Sequence, residues 1–225
     1  YDAEYDVDTV DISTDGSYIV AGYGTNSGND GVSIFSRSSS TPLWSYTIGY
    51  DVNLVTISAD NAYVAVGASK LHLFDIESST PLWSKSLGDE FYEVSISADG
   101  EYISGGMGGT SATQGTIGLF DKDSSTPLWT YDVGYSVTIT TNAISADSEY
   151  IVAGTSNDTV YLFGKGSGTP IWTYTADGDI NSVSISADGN YISVGSNDDK
   201  VYTFKNSLAD RPSVIPYGPR NGSEP

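Results

Sequence analysis

The chain carries one histidine, His72, and no cysteine among its 225 residues. Thiolate metal sites and disulfides are therefore excluded, and a serine-type triad would need His72 as its base. His72 lies in the run Leu71-His72-Leu73-Phe74, and parallel runs carry Ser33, Gly118, Tyr161 and Tyr202 at its place. A place filled so variously makes no chemical demand, so His72 reads as a packed residue. Paired carboxylates are more numerous: Asp89-Glu90, Asp121 with Asp123, Asp177 with Asp179, and Asp198-Asp199. Glycoside hydrolysis needs two such groups facing across a cleft. Most of these, however, fall in turn-like stretches where Asp bonds its own backbone. Asn26, Asn29, Asp30 and Asp123 offer hard oxygen donors for calcium, but no loop has the Asp-x-Asp-x-Asp-Gly spacing. Gly105–Gly109 is not followed by Lys or a helix, as a phosphate cradle would be. No catalytic, cofactor-binding or metal residue is assigned.

The elements that must position any site are set by a repeat. Val-x-Ile-Ser-x-Asp-Gly-x-Tyr-Ile/Val recurs as Val10–Val20, Val55–Val64, Val94–Ile103, Ala143–Ile151 and Val183–Ile192. Its aspartates, Asp15, Asp60, Asp99, Asp147 and Asp188, stand 39 to 48 residues apart. That period suits the four-stranded blade of a propeller. Within a unit, strand A (Val10–Ser13) meets strand B (Tyr18–Gly22) through an Asp15-Gly16 turn, a hairpin signal. Strand C is Val32–Phe35 and its echoes, and strand D opens at Thr-Pro-Leu/Ile-Trp, with Pro suited to an outermost strand. Strand B is a nearly continuous apolar run, as a sheet covered on both faces requires. No stretch has helical periodicity. The expected fold is all-β, a propeller of four-stranded antiparallel blades with five repeats. All four tryptophans, Trp44, Trp83, Trp129 and Trp172, share one register of strand D and are expected to fill the wedge between blades.

Residues 1–205 are expected to form the propeller and 206–225 a tail. The fifth repeat lacks a Thr-Pro-Leu-Trp strand. Closure by residues 1–6, by a degenerate strand at 211–215, or by a neighbouring subunit are the alternatives, closure within the chain being preferred. The chain opens at Tyr1 without an initiator Met and reads as part of a longer product.

Phe120-Asp121-Lys122-Asp123-Ser124-Ser125-Thr126-Pro127-Leu128-Trp129 resembles the repeat signature of quinoprotein-like propellers. Gly154–Phe163 and Gly195–Phe204 resemble the turn of WD-repeat propellers, with Phe in place of Trp. Together they resemble WD-like, quinoprotein-like repeat proteins of archaeal and bacterial cell surfaces. That resemblance implies the fold; it does not extend to quinone chemistry, which uses a vicinal Cys pair absent here.

Nine Lys and Arg stand against 29 Asp and Glu, a formal charge of −20. Nucleic acid and anionic membrane surfaces are disfavoured as partners, and the composition suits a secreted or salt-adapted protein kept soluble by its negative field. Asn157 and Asn221 head glycosylation triplets. The A–B and C–D turns, at one end of the blades, are monotonous, whereas the B–C and D–A loops at the other vary. Loops on a rigid scaffold are where binding residues concentrate. The candidate face is Tyr23, Asn26, Asn29, Asp30, Tyr50, Asp51, Asp89, Glu90, Phe91, Tyr92, Met107, Gln114, Tyr135, Asp177 and Asp179. The expected function is a non-catalytic interaction module, extracellular or at the cell surface, binding a protein or glycan. A glycoside-processing propeller and a subunit of a surface filament are the alternatives.

Overall fold

A computed structural model describes residues 6–24 and 30–206. Of the proposed closing segments, 211–215 and all of 1–6 but Asp6 lie outside the described residues, as do Asn26, Asn29 and Asn221. Sheet 1 is β1 (Asp6–Ile12), β2 (Tyr18–Gly24), β3 (Gly31–Ser36) and β4 (Pro42–Thr47). Sheet 2 is β5 (Leu54–Ile57), β6 (Tyr63–Gly67), β7 (Leu71–Asp75) and β8 (Pro81–Lys85). Sheet 3 is β9 (Phe91–Ile96), β10 (Tyr102–Met107), β11 (Gln114–Asp121) and β12 (Trp129–Tyr135). Sheet 4 is β13 (Ile139–Ile144), β14 (Tyr150–Thr155), β15 (Thr159–Gly164) and β16 (Ser167–Thr175). Sheet 5 has three strands among the described residues, β17 (Ile180–Ile185), β18 (Tyr191–Ser196) and β19 (Val201–Lys205). Every sheet is an antiparallel meander in chain order, A to D in the first four and A to C among the described residues of the fifth.

Some bounds differ from the sequence expectation. β1 starts at Asp6 and pairs Val7 with Tyr23, so Tyr23 belongs to a strand instead of an inserted loop. β12 starts only at Trp129, whereas β16 reaches back to Ser167 by pairing it with Gly164.

A four-stranded sheet has no interior of its own, so its apolar residues need a neighbour. The A strands touch in succession, β1 with β5, β5 with β9, β9 with β13 and β13 with β17. One cluster joins Val20, Val32 and Ile34 of sheet 1 to Val55, Val64 and Phe74 of sheet 2, and similar clusters join each later pair. Strand-D tryptophans lock these contacts. Trp44, Trp83 and Trp129 donate from Nε1 to the carbonyls of Ile76, Lys122 and Lys165 in the following sheet, at 2.7, 2.7 and 2.9 Å. Their rings lie 5.4, 5.6 and 5.1 Å from Phe74, Phe120 and Phe163. Strand B carries Gly at Gly22, Gly106 and Gly154 because the next sheet comes too close there for a Cβ. At Gly154 a Cβ would stand 2.3 Å from Ile180 Cγ2.

The A–B turns explain the repeated Ser-x-Asp. Ser13, Ser58, Ser97, Ser145 and Ser186 each donate a hydroxyl hydrogen bond to the Asp two residues on. Each of those hydroxyls also accepts the N–H of the Tyr that begins strand B. The carboxylate then accepts the N–H two residues further along the turn. The last turn residue has positive φ in all five copies, whether Gly16, Asn61, Gly100, Ser148 or Gly189. These aspartates are structural. The Ser186 hydroxyl and the Asn190 side chain and amide hold Asp188 down at about 2, so what that turn gains from the charge is kept above the ordinary carboxylate range and lost as pH falls towards 2.

Ser145 is fully buried, whereas Ser186 is partly exposed in the last sheet. Ser145→Ala should therefore cost about 1–3 kcal/mol in urea denaturation, and Ser186→Ala clearly less. Equal costs would show that the neighbouring sheet does not matter to the turn.

Candidate functional site

The varied end of the sheets holds a continuous groove. A cleft of about 280 Å³ is lined by Leu87–Asp89, Met107, Ala112–Gln114, Thr116, Asp132 and Tyr135. A hollow of about 260 Å³ beside it is lined by Tyr50, Ser69, Ser86, Gly88, Asp89 and Glu90. The two share Gly88 and Asp89, so the groove runs from Tyr50 to Tyr135, both about 60% exposed. Its floor is fixed by hydrogen bonds: Thr113 Oγ1 donates to Asp89 Oδ2 at 2.9 Å, and Thr116 Oγ1 to Asp132 Oδ1 at 2.8 Å. Asp89 also accepts the Glu90 N–H. Among the described residues no Lys or Arg lines either part. Burial, then Glu90 and Asp89, push the Tyr92 hydroxyl up from its ordinary value, a local sign of the negative field.

Six of the residues expected on this face line the groove: Tyr50, Asp89, Glu90, Met107, Gln114 and Tyr135. Tyr92 is exposed and reaches beside Gly108 at the same end. Others are placed elsewhere. Phe91 is fully buried among Leu71, Val94 and Ile103, because it begins β9 and points into the contact between sheets 2 and 3. Tyr23 is buried with its hydroxyl against Ser33 Oγ, and Asp30 is 1% exposed, its carbonyl accepting the Ile48 and Gly49 amides. Asp51 lies on the sheet 1 side, and Asp177 and Asp179 lie between sheets 4 and 5, away from the groove. Asp132, Thr113 and Thr116 were missed. Asp132 stands where the other D strands carry Thr47, Ser86 and Thr175, and that departure was the available signal.

The remaining chemical candidates resolve into packing. Asp177 and Asp198 both pair with Lys200 Nζ, at 2.8 and 3.3 Å, and Asp198 also accepts from Tyr202 Oη. They form an ion-pair network, not two acids opposed across a cleft. Asp121 accepts the Asp123 N–H, and Asp123 pairs with Lys122. Asp30 precedes a strand C while Asp123 follows one, so these two oxygen donors stand at opposite ends of their sheets. Among the described residues no cluster of three or more His, Asp or Glu is placed to hold a metal.

A family model described as "Outer membrane protein assembly factor BamB" matches residues 113–210. No curated protein matches the chain. Among solved structures, the "Cps50 (Swd1) beta-propeller domain" of Myceliophteria thermophila matches with a TM-score of 0.72 at 13% identity. The match covers 92% of this chain and 70% of that one.

The fold is a β-propeller. At that identity the likeness concerns the fold alone.

In a propeller, His72 lies on strand C between blades 1 and 2. Its Nδ1 is 2.7 Å from Ser84 Oγ on strand D, the pairing that Ser33 and Ser45 make in blade 1. Its ring is stacked against Phe74 and edge-on to Tyr46, and its buried Nε2 has no partner. Burial, and secondarily Lys70, lower it to about 4. So weak a base is ill matched to proton abstraction near neutrality. Since the folded value lies below the ordinary 6.5, the stability at stake is full above pH 6.5 and lost as pH falls towards 4. Glu93 on β9 works oppositely. Burial pushes it up to about 7, so its contribution is full below pH 4.5 and lost as pH rises to 7. His72→Tyr, which installs the residue of Tyr161 and Tyr202, isolates the histidine. Urea denaturation should show the parent losing about 3 kcal/mol relative to this variant between pH 6.5 and 4. A pH-independent difference would contradict the assignment.

Proposed function

We propose that this chain is a non-catalytic interaction module that binds a protein partner through the B–C and D–A end of its blades, the groove taking a cationic segment of that partner. The observation that carries the reading is a channel edged by Asp89, Glu90 and Asp132, without a lining cation, between two exposed tyrosines. Carboxylates fixed by Thr113 and Thr116 present their remaining acceptor sites at little entropic cost. Tyrosine rings at both ends offer faces to a guanidinium or ammonium group. A net charge of −20 adds long-range attraction for a basic partner. The family model matched over residues 113–210 is described by an assembly factor, a description compatible with the interaction role proposed here. Export to the cell surface belongs to the same reading, supported by the acidic composition and by an exposed Asn157 at the head of its triplet.

A second reading, a glycan in the groove, is favoured by the exposed rings of Tyr50 and Tyr135, which suit sugar stacking. Calorimetry with Lys/Arg-rich peptides and with neutral oligosaccharides separates the two. Peptide binding should weaken with added salt and fall tenfold or more in Glu90→Lys, a loss of about 1.4 kcal/mol. Tyr50→Ser with Tyr135→Ser should weaken either ligand without changing the melting temperature. Salt-independent binding of a neutral sugar, with no response to the peptides, would overturn the protein-partner reading.

A further inference from the structure

One junction between blades is filled differently from the others. Sheets 1 and 2 meet with Tyr46 against His72, sheets 3 and 4 with Tyr131 against Tyr161, and sheets 4 and 5 with Tyr174 against Tyr202. Their ring centroids are 6.1, 5.5 and 5.3 Å apart. Between sheets 2 and 3 the same two places hold Lys85 and Gly118, so no ring pair closes that junction. The cleft of about 280 Å³ opens there, and Leu87 and Thr116 in its lining stand two residues from Lys85 and Gly118.

One wall of the cleft is built from exceptions to the repeat. The C–D strand pairs of sheets 1, 2 and 4 run in register at this end. In sheet 3, Gly115 pairs with Gly134 but Thr116 with Asp132, which leaves Val133 as an extra residue. A bulge of this kind re-aims the side chains around it, and here Asp132 and Tyr135 both come to line the cleft. Beyond it Ser136 is held at φ 57°, its N–H donated to the Thr110 carbonyl at 2.9 Å. Such strain persists only where the surroundings fix it. Thr110 Oγ1 in turn accepts the N–H groups of Ala112 and Thr113, which pins the segment that brings Thr113 to Asp89.

We propose that this cleft reads a single arginine side chain of the partner, an inference that rests on the cationic-segment reading above. Its volume falls below the roughly 300–1,000 Å³ of small-molecule pockets and suits one side chain. Leu87 and Met107 offer apolar walls to the methylene stem. The exposed Tyr135 ring offers a face on which a planar guanidinium stacks, whereas an ammonium is a compact, strongly hydrated charge. Thr116 holds Asp132 Oδ1, while Thr113 and the Glu90 N–H each hold one oxygen of Asp89, so both carboxylate planes are fixed. Fixed planes favour the paired donors of a guanidinium, and a point charge gains nothing from them.

Calorimetry tests this with two Gly/Ser peptides of equal length and charge, one carrying arginine and the other lysine at the same positions. The arginine peptide should bind about tenfold tighter, and citrulline in place of arginine should remove binding. Asp132→Asn keeps an oxygen to accept from Thr116, so the melting temperature should not change, yet the two peptides should become equal in affinity. Tyr135→Phe should keep the arginine preference and Tyr135→Ser should reduce it. Equal affinity of the two peptides for the parent protein would overturn the arginine assignment and leave the broader cationic reading standing. An arginine preference that survives Asp132→Asn would overturn it as well. Binding of neither peptide would overturn both.

Discussion

The structure depends on contact between sheets. Each sheet is apolar on both faces, so no single one is stable in water, and burial comes only from leaning on the next. Three devices repeat that contact with little variation. A strand-D indole caps the following sheet, a strand-B Gly admits the next chain closely, and hydroxyls on the A strands receive the next strand's amides. Among the described residues, Val10, Ile12, Tyr191 and Val201, on the outer faces of the first and last sheets, are the exposed counterparts of residues that this contact buries elsewhere.

The aspartates divide by neighbourhood. Those in the A–B turns are tied to a Ser hydroxyl and to backbone amides, and their charge serves the hairpin. Those at the groove are held by Thr113 and Thr116 from one side only, which leaves a negative edge facing outward. The same residue type thus builds the scaffold at one end of the blades and an electrostatic surface at the other. The distinction lies in which hydrogen bonds are already used.

Much of the fold was legible because its determinants are local and repeated. Ser-x-Asp turns, the Tyr that starts strand B and the strand-D Trp recur at a fixed spacing, and each has one physical role. Six groove residues were legible for another reason, as loop positions that vary over a constant frame. Phe91 misled because an aromatic beside acidic residues looks the same in a loop as in the first residue of a strand that turns inward. Asp132 was missed because it hides in a regular strand and is distinguished only by comparison with Thr47, Ser86 and Thr175. His72 and Glu93 gave no sign of their shifted titration, which arises from burial between sheets.

The central claim is that the sheets are pinned to one another through their tryptophans. Hydrogen exchange at the indole N–H of Trp44, Trp83 and Trp129, followed by NMR, tests it most directly. Donation to the carbonyls of Ile76, Lys122 and Lys165 predicts slow exchange at all three, with protection that falls together as denaturant is added. Exchange at the rate of a free indole would contradict the account.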